Sequence, residues 1–303
     1  MKPNFEESQF ADYFRDELRI KADPQDGYRL APMGQVLEAK LGWDSAAMLP
    51  AAHPTWADLR STGLPGTVRS EWNPDLDLNA AITDKALNVF FQFKRSDHLV
   101  RSNATYWQHF GRDYWQFHID RSDNPGSLPQ HDLLAELEGR TAGRALVRYV
   151  APLCHEFREL ERLSDAQQLT ANCVYISPAE FDPDHERCVF IGTAPGECLV
   201  NPDPTDAAVE SWTGATAKLQ SLEGAIGDEL IAETSSALID LDESAARELR
   251  GRWAMPESTS AEDQELVTHY LVASRWLYQS GVAWFAAYRI DPSDTATSEN
   301  EEL

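Results

Sequence analysis

Hydrophobic positions at the start of the chain recur at helical spacing. Phe5, Phe10, Tyr13, Phe14 and Leu18 are separated by acidic residues, which predicts an amphipathic first helix. A short second segment around Val36 and Leu37 ends at Gly42, and residues 50–70, rich in proline and glycine, read as a long loop or insertion. The period then changes to two. Leu76, Leu78, Ala80 and Ile82 alternate with Asp75, Asp77, Asn79 and Ala81. Beyond a turn at Thr83-Asp84-Lys85-Ala86, Val89, Phe91 and Phe93 alternate with Phe90, Gln92 and Lys94. Alternation on both arms predicts a hairpin of two strands, each with one apolar and one polar face.

Further along, helices are predicted over 130–138, stopped by Gly139, and over 155–163. Strands are predicted over 145–150, 174–176 and 188–191. Interleaved strands and helices predict an α/β fold, a sheet with helices against it. After Asn201-Pro202-Asp203-Pro204 the character shifts. The segments from Ala207 to Tyr288 read as helical, with Leu266, Tyr270, Leu271, Trp276, Leu277 and Trp284 as apolar anchors. The expected organisation is an α/β domain over 1–204, a helical region over 205–292 and an acidic, frayed tail over 293–303. The chain shows no internal repeat.

Charge narrows the choice of partner. The 303 residues carry 50 Asp and Glu against 26 Lys and Arg, a formal charge of −24. Such a chain does not coat nucleic acid through broad electrostatics, although a local basic cleft remains compatible with it. The cations are mostly arginine; the lysines are Lys2, Lys21, Lys40, Lys85, Lys94 and Lys218. No apolar run approaches the ~20 residues of a membrane helix. The N-terminal stretch has no apolar signal core, so a cytoplasmic location without membrane contact is expected. Cys154, Cys173, Cys188 and Cys198 contain no C-x-x-C pair and read as free, buried thiols.

The segment Asn88-Val89-Phe90-Phe91-Gln92-Phe93-Lys94-Arg95 carries the most chemistry. It is a strongly apolar strand that nevertheless places Gln92 and Lys94 on one face. Burying an ammonium costs several kcal/mol unless something anionic offsets it, and a phosphate or a metal-bound water cluster would do so.

Here the chain resembles the PD-(D/E)xK nuclease superfamily in its Q-x-K form, nearest to Mrr-like restriction endonucleases and nuclease effectors of antiviral defence. The resemblance covers roughly residues 1–125. It implies a restriction-endonuclease-like mixed sheet flanked by helices, and a Mg²⁺- or Mn²⁺-dependent endonuclease acting on DNA. Gln92 would be a metal ligand and Lys94 the catalytic lysine. The completing acid stays open between two placements. Asp44, in a Gly-x-Asp form with Glu38 as a helix acid upstream, matches the local look of the motif and is taken first. The rival is Asp77, which would lie opposite Gln92, with Asp75 opposite Lys94, across the predicted hairpin. The Q-x-K form carries one negative charge fewer at the metal than the commoner E-x-K. Arg95 and Arg101, directly following Lys94, are the candidate DNA contacts.

Several other features have plainer readings. Tyr106, Trp107, Phe110, Tyr114, Trp115 and Phe117, interleaved with Arg95, His98, Arg101, Arg112 and Arg121, suit base stacking; at this spacing they read chiefly as core. His131 and His155 lack a Ser or Cys nucleophile at a recognised spacing and read as helix-start residues. His185 and Cys188 fit no zinc finger spacing with Cys198. Thr193-Ala194-Pro195-Gly196 lacks the Gly-Lys-Ser/Thr of a phosphate loop. The expected C-terminal helices would bind a protein partner or a second copy. The alternative function is a catalytically degenerate nuclease fold whose acidic surface binds protein or mimics DNA.

Overall fold

A computed structural model describes residues 1–20, 28–32, 86–121, 130–141, 143–201, 205–219, 221–222, 224, 227–239, 261, 265, 268–270, 272–273, 277 and 281–289. In chain order the first elements are α1 (Glu7–Ile20), β1 (Tyr28–Pro32), β2 (Ala86–Phe93), β3 (Asp97–Leu99), α2 (Trp107–Phe110) and β4 (Tyr114–His118). Then come α3 (Gln130–Arg140), β5 (Ala145–Pro152), α4 (Phe157–Asp165), β6 (Cys173–Ile176), β7 (Arg187–Phe190) and β8 (Cys198–Asn201). The last are β9 (Thr205–Asp206), β10 (Val209–Glu210), α5 (Trp212–Leu219), α6 (Gly227–Ile239) and β11 (Val282–Arg289). The fold is mixed α/β, with two mostly antiparallel sheets flanked by helices. No helix among the described residues is long and apolar enough to cross a membrane.

The chain divides into two compact units. The first comprises Met1–Ala22, Phe91–Glu138 and Leu146–Ser221. In it the end of β2 neighbours β5, followed by β6 and β10, and a second sheet runs β3-β4-β7-β8-β9. The apolar stripe of α1 explains its packing. Phe10, Phe14 and Leu18, spaced by four, are buried. Phe14 meets Phe91, Phe93, Tyr175 and Trp212 at ring separations of 5.2–6.4 Å. Phe10 meets Phe93 edge-on at 5.3 Å. Phe91 and Phe93 thus face α1, as the period-two reading requires. Toward the other end of α1, buried Glu17 accepts from the amides of Leu169 (2.6 Å) and Thr170 (3.0 Å) and from the Thr170 hydroxyl (2.7 Å). It thereby ties the helix to a 3₁₀ turn that would otherwise bury unpaired donors.

Within this unit β5 and β6 pair antiparallel, Tyr149 opposite Ile176 and Pro152 opposite Cys173. In the second sheet β4 pairs with β7 and β7 with β8, also antiparallel. The rings of Phe117 and Tyr149 lie 5.9 Å apart, and Phe181 lies 5.4 Å from Tyr149. Arg148, buried on the opposite side of β5 from Tyr149, is clasped by Glu138 (3.0 Å) and by both carboxylate oxygens of Glu210 (3.0 and 3.1 Å). The four cysteines are free and buried, as expected.

The second unit comprises Asp23–Phe90, Gly139–Ala145 and Leu222–Leu303. Here β1 and β11 pair antiparallel, Tyr28 opposite Arg289 through Pro32 opposite Phe285, and β11 neighbours β2. Trp284 stacks between Phe90 (6.0 Å) and Tyr270 (5.8 Å), and its Nε1 donates to Asn88 Oδ1 at 2.8 Å. Asn88 Nδ2 in turn donates to the carbonyl of Leu230 in α6 at 3.1 Å. Arg144 pairs with Glu233 at 2.7 Å.

Two expectations change. Residues 282–289 form a strand where helix was expected, and β9 and β10 also fall in that region. A strand buried on both faces has a continuous apolar run, which periodicity cannot distinguish from a buried helix. The expected boundary near residue 204 falls inside the first unit, because Trp212 of α5 packs on Tyr175 at 5.7 Å and on Phe14. The polar face of β2 is buried: Phe90, Gln92 and Lys94 are enclosed along with Phe91 and Phe93. The segments expected at 36–42, 50–70, 75–82 and 293–303 lie outside the described residues.

Candidate functional site

The Q-x-K segment enters the first unit at the end of β2. Pleating sends Phe91 and Phe93 toward α1 and leaves Gln92 and Lys94 on the opposite side. The backbone amide of Lys94 donates to the carbonyl of Val150 at 2.9 Å, which extends the register beside β5 by one residue. The side chain is then confined. Lys94 is 6% exposed. Its Nζ lies 5.9 Å from the centre of the Tyr149 ring and donates to Gln130 Oε1 at 2.6 Å. Among the described residues no carboxylate stands within ion-pair distance of this ammonium. Burial therefore pushes the Lys94 pKa down, and the more distant charges of Glu7 and Asp120 offset that only in part.

Gln92 is 1% exposed. Its Nε2 donates to the carbonyl of Phe93 at 3.1 Å, while Oε1 is buried with no hydrogen-bond partner among the described residues. A buried carbonyl oxygen without a donor is uncommon and carries a desolvation penalty of about 1–3 kcal/mol. The structure thus places two anomalies on the same side of one strand: among the described residues, a cation without a counter-charge and an acceptor without a donor.

The remaining residues of the expected site are distributed unevenly. Arg95 is held back toward α1: its Nη1 donates to the Phe5 carbonyl at 3.2 Å and pairs with Glu6 at 3.1 Å. Arg101 is exposed in the turn after β3. Asp44, Glu38 and the rival Asp77, with Asp75, lie outside the described residues. Among the described residues no group of three His, Cys, Asp or Glu side chains is placed to hold a metal. Gln92 Oε1 is a hard oxygen of the type Mg²⁺ accepts, but it lacks the charge of a carboxylate.

The histidines behave as the sequence suggests. His131, on the first turn of α3, shares a 3.0 Å hydrogen bond between Nδ1 and the Tyr149 hydroxyl, with the two rings parallel. Burial, assisted by the positive charge of Arg121, holds its pKa down at about 4, so it is neutral near pH 7. His155 lies against the His98 ring at 4.8 Å and 3.9 Å from Glu156. His98 is bonded to Asp113 at 2.8 Å and stacked on Trp115. His185 Nδ1 accepts from the Asp182 amide at 2.9 Å, and Cys188 faces Cys198 at 3.2 Å. Tyr114 and Phe117 are core, as weighed from their spacing. Residues 192–196 form the tight turn between β7 and β8, where Gly196 takes a φ of 77° and Glu197 accepts from the Ala194 amide.

Two participants escape sequence reasoning. Gln130 and Tyr149 flank the ammonium from α3 and β5, and no local motif links either to Lys94. The only signal was compositional: a strand reading of 145–150 and a helix beginning at 130.

Comparison with known proteins adds no relative: no family model, curated protein or solved structure matches this chain.

Proposed function

We propose that the protein is a metal-dependent endonuclease that hydrolyses phosphodiester bonds in DNA, built on a restriction-endonuclease-like core and serving antiviral defence. One observation carries the reading: among the described residues, a buried ammonium at Lys94 is unmatched by any neighbouring carboxylate and stands two residues from a buried Gln92 oxygen that has no hydrogen-bond partner. A buried charge and a buried acceptor arranged in this way are costly to the fold, and an anionic substrate beside a cation would relieve both defects together.

In this reading Gln92, with Asp44 and Glu38 or with Asp77 in their place, holds Mg²⁺ or Mn²⁺. The bound ion would supply Lewis acidity toward the phosphate oxygens. Lys94 directs its ammonium at the negative charge that builds as water attacks phosphorus, inside a water-poor setting where that interaction is strong. Arg101 contacts the phosphate backbone. Arg95 joins it after exchanging Glu6 for phosphate, a weak surface pair to displace.

The charge of −24 favours a second reading, a degenerate nuclease fold that binds protein through its acidic surface. Plasmid DNA incubated with the protein and Mg²⁺ or Mn²⁺, beside a Lys94→Ala variant, separates the two. Nicking or linearisation by the wild type that falls by roughly 10²-fold or more in the variant supports the nuclease. Equal products from both proteins, or none from the wild type across salt and metal conditions, refutes it.

A further inference from the structure

Lys94 has a long, flexible stem, and a lysine ammonium has no intrinsic preferred direction. In this fold it is fixed at both ends. The backbone is tied to Val150 at 2.9 Å, and Nζ is tied to Gln130 Oε1 at 2.6 Å. The anchor on the far side is itself anchored. His131, the next residue on the first turn of α3, is bonded to the Tyr149 hydroxyl at 3.0 Å, and the Tyr149 ring forms the wall beside Nζ. Consecutive residues of α3 thus grip the lysine and its wall, so helix and strand cannot slide without breaking both bonds.

The chemistry of the anchor matters as much as its position. A carboxylate at residue 130 would hold the ammonium equally well, but would cancel its charge. The amide accepts a hydrogen bond and leaves the charge intact. We infer that Gln130 is a positioning residue that aims the Lys94 ammonium without neutralising it, so that the counter-charge is left to the phosphate of the substrate. The inference rests on the reading of Lys94 as the catalytic lysine. It adds a residue from a different element, 36 positions along the chain.

Two variants and two readouts test it. The first readout needs no activity: reductive methylation with ¹³C-formaldehyde, followed residue by residue by mass spectrometry or NMR, with the five other lysines as internal controls of folding. In Gln130→Ala the freed Lys94 is modified severalfold faster than in the wild type, while the other lysines are unchanged. In Gln130→Glu it stays protected. The second readout is DNA cleavage. Gln130→Ala lowers kcat by about 10²-fold with KM little changed, the loss expected when a reacting group is misplaced by about 1 Å. Gln130→Glu instead raises KM, because the neutralised lysine no longer attracts phosphate. In a Lys94→Ala background neither substitution has a further effect. Equal modification of Lys94 in the wild type and Gln130→Ala overturns the positioning role. So does the same kinetic defect in both variants. A wild type that does not cleave DNA defeats the nuclease reading, and the methylation result still decides whether Gln130 holds the lysine.

Discussion

Replacing Lys94 by methionine should make the protein more stable. Methionine has nearly the same length and flexibility, so the hydrophobic stem keeps its place between β5 and the start of α3 while the charge disappears. The magnitude follows from the surroundings. The ammonium is 6% exposed and has one side-chain hydrogen-bond acceptor among the described residues, the neutral Oε1 of Gln130. Burying an ion costs several kcal/mol after relaxation. A charged hydrogen bond returns only about 1.5–3 kcal/mol. The remainder, about 1–3 kcal/mol, is the expected gain, within the range seen when buried charges are replaced by apolar groups of similar volume. For units of this size it corresponds to a rise of roughly 2–10 °C in melting temperature. Circular dichroism melting and urea titration at neutral pH, in buffer free of divalent metal, measure it. Where two transitions resolve, the shift belongs to that of the unit containing Lys94. The same variant should be inactive on DNA, so that function and stability move in opposite directions. A Lys94→Met protein less stable than the wild type by 1 kcal/mol or more would refute the reasoning. It would mean that the folded state compensates the ammonium fully, and that Lys94 is a structural residue.

Two further outcomes are expected from the same fold. Glu17→Ala removes the acceptor shared by the Leu169 and Thr170 amides and the Thr170 hydroxyl, leaving buried donors unpaired. Urea titration should show a loss of about 3–5 kcal/mol, with Glu17→Gln losing less because one oxygen remains. His131 gives the first unit an acid sensitivity. Its pKa is about 4 in the fold against an ordinary 6.5, so between those values the unfolded chain binds the extra proton. Stability contributed by this group is complete above about pH 6.5 and declines toward pH 4, by at most about 3 kcal/mol. Subtracting the stability–pH curve of a His131→Gln variant from that of the wild type should isolate this slope. A flat difference curve would show that the ring is not held neutral by burial.

Much of the local structure is legible in residue spacing. Helical periodicity placed Phe10, Phe14 and Leu18 on one buried stripe of α1, and period two placed Gln92 and Lys94 together and away from Phe91 and Phe93. These hold because the geometry of a helix or strand sets which side chains share a face, whatever lies against it. What lies against it belongs to tertiary structure. The nominally polar face of β2 is buried, because Tyr149 of β5 and Gln130 of α3 come to cover it from positions no local rule connects. Residues 282–289 read as helical by composition, yet they are extended, because β1 offers a backbone ladder and Val282, Ala283, Trp284, Phe285 and Ala287 are all buried. Spacing alone therefore determined that an ammonium and an amide would project from one side of a greasy strand. Only the packed chain decided that they would be sealed from water with the charge unmatched among the described residues, since desolvation is a property of the assembled surroundings and not of the strand that carries them.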